Sequence, residues 1–77
     1  MKMMKSKSWQ WETTGTNKTA ILFGVNIFTK DFRSTGKSDD FNHTKYDVFT
    51  VFVDGEEKTF AMTETSNGVY DFLTFRY

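Results

Sequence analysis

Few residues of this chain could do chemistry, and most fail on spacing. Gly36-Lys37-Ser38 is the tail of a phosphate-binding loop, in which backbone N–H groups cradle phosphate and the lysine reaches it. That loop needs another glycine five residues before Gly36, and Asp31 stands there. It also needs a strand before it and a long helix after it, and no stretch here reads as a long helix. His43 is the only histidine, and with Asp39 and Asp40 it makes no recognised metal-ligand spacing. Asp39-Asp40 and Glu56-Glu57 are adjacent carboxylates that an exposed loop and a hairpin tip explain. Ser/His/Asp catalysis would need a nucleophile elbow, and none is present. With no cysteine, thiolate chemistry and disulfides are excluded. The expectation is a protein that is not an enzyme and holds no metal or cofactor.

One pattern points to a partner. Lys5, Lys7, Trp9, Trp11 and Lys18 interleave cations with aromatics in the first part of the chain. Lys30, Arg33, Lys37 and Lys45 surround the segment 31–45. Single-stranded nucleic acid is bound by cationic grooves with aromatic stacking platforms. Lys5, Lys7, Trp9, Trp11, Lys18, Lys30, Arg33 and Lys37 are therefore the expected nucleic-acid contacts, with RNA favoured over duplex DNA. The two tryptophans serve equally well as core, and the lysines as ordinary solvated surface. The alternative partner is a protein, met through the 31–45 segment or a sheet edge.

The elements that must position these residues are strands. Tyr46–Val53 (YDVFTVFV) is dense in β-branched and aromatic residues. Asp54-Gly55 follows it, and Asn67-Gly68 follows the next run. Such pairs favour two-residue hairpin turns with positive φ at both positions. Two such turns predict a three-stranded meander over 46–77. They pair Phe49 with Phe60 and Phe60 with Phe75, a core row flanked by Met62, Leu73, Val51 and Tyr77. The opposite face would carry Tyr46, Val48, Phe52, Tyr70 and Phe72, too apolar to lie open to water. It calls for cover from the chain's own strands, a second subunit or a ligand.

Before the meander, residues 1–7 read as a basic arm. Ser8–Thr13 alternates as a strand, with Trp9 and Trp11 on one face, and 14–17 reads as a turn. Lys18–Lys30 reads as the longest strand, central because both its faces are apolar, with Gly24 marking a bulge or the close approach of another backbone. Residues 31–45 read as a long polar loop anchored by Phe32 and Phe41.

Seventy-seven residues make one domain, 1–77, with a marginal core. Small scaffolds often gain support by association, so a homodimer is expected. The start MKMMKSKS is basic with no apolar run behind it, unlike a secretory signal, and a cytoplasmic location is expected. Formal net charge is zero, yet residues 1–45 hold eight cations against four acids, and residues 46–77 two against six. Residues with AT-rich codons (Lys, Asn, Phe, Tyr, Ile) number 26, against nine Gly, Ala, Pro and Arg. In size, start and codon bias the chain resembles the small accessory proteins of large AT-rich bacteriophages, which implies a role in countering a host system. The fold expected is all-β: about five antiparallel strands in a twisted sheet or small open barrel.

Overall fold

The computed structural model describes residues 9–75. The chain is all-β. Its strands are β1 (Trp9–Thr16), β2 (Ile21–Leu22), β3 (Val25–Asn26), β4 (Phe32–Phe41), β5 (Thr44–Val53), β6 (Glu56–Ser66) and β7 (Val69–Phe75). A single 3-10 turn, Ile27–Thr29, separates β3 from β4. Five strands form one antiparallel sheet in the order β1-β7-β6-β5-β4, and β2 and β3 form a separate two-stranded ribbon. The basic arm expected over 1–7 lies outside the described residues.

The first turn of the meander is as the sequence predicts. Asp54 and Gly55 both have positive φ, 53° and 79°, and β5 meets β6 with Phe49 opposite Phe60 and Val53 opposite Glu56. The second turn differs. Of Asn67 and Gly68 only Gly68 has positive φ. That geometry belongs to a three-residue loop closed by a bulge at a left-handed glycine. The register accordingly shifts between Glu64 and Ser66, so Phe60 faces Thr74 rather than Phe75, and Met62 faces Phe72 rather than Leu73.

One residue of slip turns a strand over. Phe72 therefore joins Phe60 on what we call the front face, where both are fully buried, and Leu73 and Phe75 pass to the back face. The expected row Phe49–Phe60–Phe75 is corrected to Phe49–Phe60–Thr74. Phe49 does stack on Phe60, with centroids 5.5 Å apart, whereas Phe75 stacks on Trp9 at 4.3 Å. Tyr77, expected opposite Lys58, lies outside the described residues.

Lys18–Lys30 is not one long central strand. Thr16 and Thr19 exchange backbone hydrogen bonds of 2.9 and 3.2 Å, which folds the chain back at Asn17-Lys18. Phe23 and Gly24, both at positive φ, then turn β2 into β3. The Asn26 side chain staples this excursion together. It accepts from the N–H groups of Ala20 and Phe28 and donates to the Lys18 carbonyl at 2.8 Å. The excursion covers the front face, so Ala20, Leu22 and Ile27 are buried against Val51, Val53, Phe60, Met62 and Phe72. Full burial of side chains the size of Leu22 and Ile27 stabilises by roughly 1.5–3 kcal/mol each. The ribbon and the 3-10 turn thus cover the Phe60 face; of the residues expected to need cover on the opposite face, only Tyr70 and Phe72, turned over by the register slip, gain it here.

Residues 31–45 are not a loop. They form β4, a turn with positive φ at Asn42 and His43, and the first residues of β5. Between Ser34 and Ser38 the register shifts by two, and residues 35–37 bulge out opposite Val48.

The back face buries Tyr46, Val48, Ala61 and Leu73, with Trp9 and Phe41 packed against them. Its cover is the sheet's own curl. In a flat five-stranded sheet the edge strands β1 and β4 would stand about 19 Å apart, four spacings of about 4.8 Å. Here Trp9 Nε1 on β1 donates to Asp39 Oδ2 on β4 at 2.9 Å. The sheet is thus rolled into an open barrel, tied across one corner and open at another.

Candidate docking site on the back face

The open corner of the back face holds a cleft of about 580 Å³, lined by residues of β4, β5 and β6 and by Asp31. Strand register sets its floor. Phe52 on β5 lies directly opposite Glu57 on β6. Phe32, the first residue of β4, pairs with Val51, and Asp31 just ahead of it lines the cleft from the other side. The next row is Arg33, Thr50 and Thr59. Thr35 closes the upper wall, its Oγ1 donating to the Val48 carbonyl at 2.9 Å.

Phe52 remains 62% exposed in this cleft although it sits in the middle strand of the three that form it. Asp31, Arg33 and Glu57 are exposed, and none makes an ion pair or a side-chain hydrogen bond with another described residue. The cleft therefore carries an aromatic floor, one unpaired cation and two unpaired carboxylates.

Further up the same face the groups are satisfied. Thr14 Oγ1 donates to Asp71 Oδ1 at 2.7 Å. The buried Tyr46 phenol is pushed above its ordinary value, first by burial and then by the nearby Asp71 carboxylate. It stays protonated at neutral pH and offers no reactive phenolate.

The residues expected to bind nucleic acid are dispersed. Lys5 and Lys7 lie outside the described residues. Trp9 is half-buried, stacked on Phe75 and tied to Asp39, so its ring is a structural seam. Trp11, on the same edge strand, is 55% exposed. Lys18 stands in the turn after β1, beside Asn17, whose N–H donates to the Gly68 carbonyl. Lys30, Arg33 and Lys37 lie on or next to β4, at the other edge of the sheet, in company with Asp31, Asp39 and Asp40. Lys45 pairs in register with Asp40.

The Gly36-Lys37-Ser38 segment occupies the β4 bulge. Gly36 N–H donates to Ser34 Oγ and Lys37 N–H to Thr35 Oγ1, so two donors that a phosphate cradle would use are already engaged. His43 sits exposed in a hairpin turn, and among the described residues no group of three His, Asp or Glu side chains is gathered to hold a metal. No described helix is long and apolar enough to cross a membrane.

Asp31, Phe52 and Glu57 were not expected at a site. Phe52 could be read as back-face, and the Asp54-Gly55 turn sets Glu57 opposite it, but Asp31 could not be placed beside them. Asp31 was hidden by reading 31–45 as a loop, and Glu57 looked like part of a solvated hairpin tip. Comparison with protein families, with curated proteins and with solved structures finds no match to this chain.

Proposed function

We propose that this chain is a non-enzymatic binding module that docks on another protein through the open corner of its back face. The observation that carries the reading is Phe52, 62% exposed on the floor of a cleft whose charged walls have no partners among the described residues. A large aromatic kept in water beside unpaired charges is a poor solution for a free surface and a good one for an interface, where aromatic anchors dominate binding. The accessory, host-directed role expected from composition takes the form of an inhibitor that blocks the protein on which it docks.

The test is affinity capture with wild-type and Phe52→Asp baits, after nuclease treatment and at about 0.5 M salt, where long-range charge attraction is screened. A protein held by wild-type and released by Phe52→Asp, with melting temperature unchanged, supports docking at this corner. The same proteins held equally by both baits would refute it.

A second reading keeps single-stranded RNA as the partner. It rests on Lys30, Arg33 and Lys37 following one edge of the sheet and on the exposed Trp11 at the other. It requires retention that falls with salt at a log–log slope of about −0.7 per phosphate neutralised. Arg33→Glu/Lys37→Glu should abolish that retention without unfolding the chain.

A further inference from the structure

The front face already shows how this chain satisfies an aromatic ring next to a carboxylate. Lys58 Nζ lies 5.7 Å from the centroid of the Phe23 ring and 3.0 Å from Glu56 Oε1. Ring, carboxylate and cation form a complete set there. The cleft on the back face repeats the set with one member missing. Phe52 presents its ring, register places Glu57 beside it on β6, and Asp31, just ahead of β4, lines the same cleft from the other side. Neither carboxylate has a partner among the described residues, and no described cation stands over the ring. Arg33 is one row away and joins neither carboxylate in an ion pair.

We propose that Asp31, Phe52 and Glu57 form a receptor for one lysine or arginine side chain of the docked protein, its charged head laid over the Phe52 ring between the two carboxylates. This rests on the protein-docking reading above and names the chemistry of the partner. A cation over an aromatic face is attracted by the ring's quadrupole, and flanking carboxylates add charge attraction and hydrogen-bond acceptors. The cleft carries two acids against one cation, which favours a partner segment with a net positive charge. Arg33, one strand row further on, limits how much positive charge can follow and sets the position of the single cation.

The test is an NMR titration of the full chain with three short peptides of one length. One has a central arginine, the second has citrulline in its place to remove the charge at nearly constant shape, and the third has glutamate. The arginine peptide should move the amide signals of Phe52, Glu57 and Thr50, and the citrulline and glutamate peptides should not. Asp31→Asn/Glu57→Gln should weaken the arginine peptide by about fivefold or more, and Phe52→Ala by a similar factor. Both variants change exposed side chains, and their melting temperatures serve as the check on folding. Equal binding by the arginine and citrulline peptides at this corner would overturn the cation receptor while leaving docking intact. No peptide moving signals at this corner would overturn both. Shifts at Phe52 that grow with protein concentration in the absence of peptide would assign the corner to a second copy of the chain and overturn the proposal.

Discussion

Replacing Gly15 by alanine tests the crossing on which the front-face cover depends. Gly15 lies within β1 at a φ that any residue can adopt, so the substitution carries no backbone strain. The obstacle is space. A Cβ at Gly15 would overlap Ala20 Cβ, and it would stand 2.6 Å from Ala20 Cα and 2.7 Å from the Thr19 carbonyl oxygen. Two of these three are backbone atoms held by the Thr16–Thr19 hydrogen bonds, so a rotamer change cannot relieve them. Overpacking of this kind costs typically about 1–3 kcal/mol. Against it stands a gain of roughly 0.4–1 kcal/mol from stiffening the unfolded chain. The expected net loss is about 1.3 kcal/mol, which for a domain of this size lowers Tm by roughly 5–10 °C. Gly36→Ala is the control, because nothing lies within 4 Å of its Cβ and only its φ of +80° opposes the change. Ala20→Gly combined with Gly15→Ala should recover only part of the loss, since Ala20 Cα and Thr19 O remain. Thermal unfolding followed by circular dichroism is the assay. A Gly15→Ala chain melting within about 2 °C of wild-type would refute the close crossing, since ~0.5 kcal/mol is the most it could then cost.

Three further outcomes are expected. Gly68→Ala should destabilise by about 1 kcal/mol, because only Gly68 takes the left-handed conformation that the β6–β7 loop requires, φ 79°, and urea unfolding at fixed m-value measures it. Trp9→Phe keeps the stack on Phe75 but loses the donor to Asp39 Oδ2, and should cost about 1–2 kcal/mol while raising hydrogen exchange at the β1 and β4 edges. Tyr46 is held protonated in the folded state above its ordinary value of 10.0, so its contribution is fully present below pH 10 and is lost as pH rises through the raised value. Tyr46→Phe should therefore flatten the loss of stability above about pH 10, and absorbance titration should show a tyrosine ionising above the ordinary range in wild-type that is absent from the variant.

How much of this was legible in the sequence can be traced to particular residues. The β5–β6 hairpin could be read in full because Asp54-Gly55 admits only a narrow set of turns. Asn67-Gly68 looks the same on paper, but its glycine serves a three-residue loop, and the choice between the two is made by packing. Burying Phe72 beside Phe60, rather than Phe75, decides it. Lys18–Lys30 alternates like one strand since its break falls at Phe23, a residue rarely found at positive φ, and the break is stabilised by long-range contact with Phe60 at 6.5 Å. Gly15 was composed like a turn residue, whereas its role is to let another backbone pass. Of the site, only Arg33 was anticipated. Asp31 and Glu57 gain meaning from lining one cleft with Phe52, a juxtaposition that depends on the β4–β5 and β5–β6 pairings at once.

The pairing of β1 with β7 governs how the molecule can be made. Trp9 finds Phe75 across about 66 positions of chain, and closing a loop that long costs roughly 3–4 kcal/mol in entropy before any contact repays it. On a ribosome β1 emerges well before β7, the strand it pairs with. The hairpins β4–β5 and β5–β6 can form as they emerge, but residues 9–16 have no partner in the sheet until residues 69–75 are synthesised. The same late strand brings Phe72 to the front core and Leu73 to the back. A nascent chain stopped before Val69 would lack Phe72 of the front core and Leu73 of the back, so both cores close together, when β7 joins the hairpins already formed.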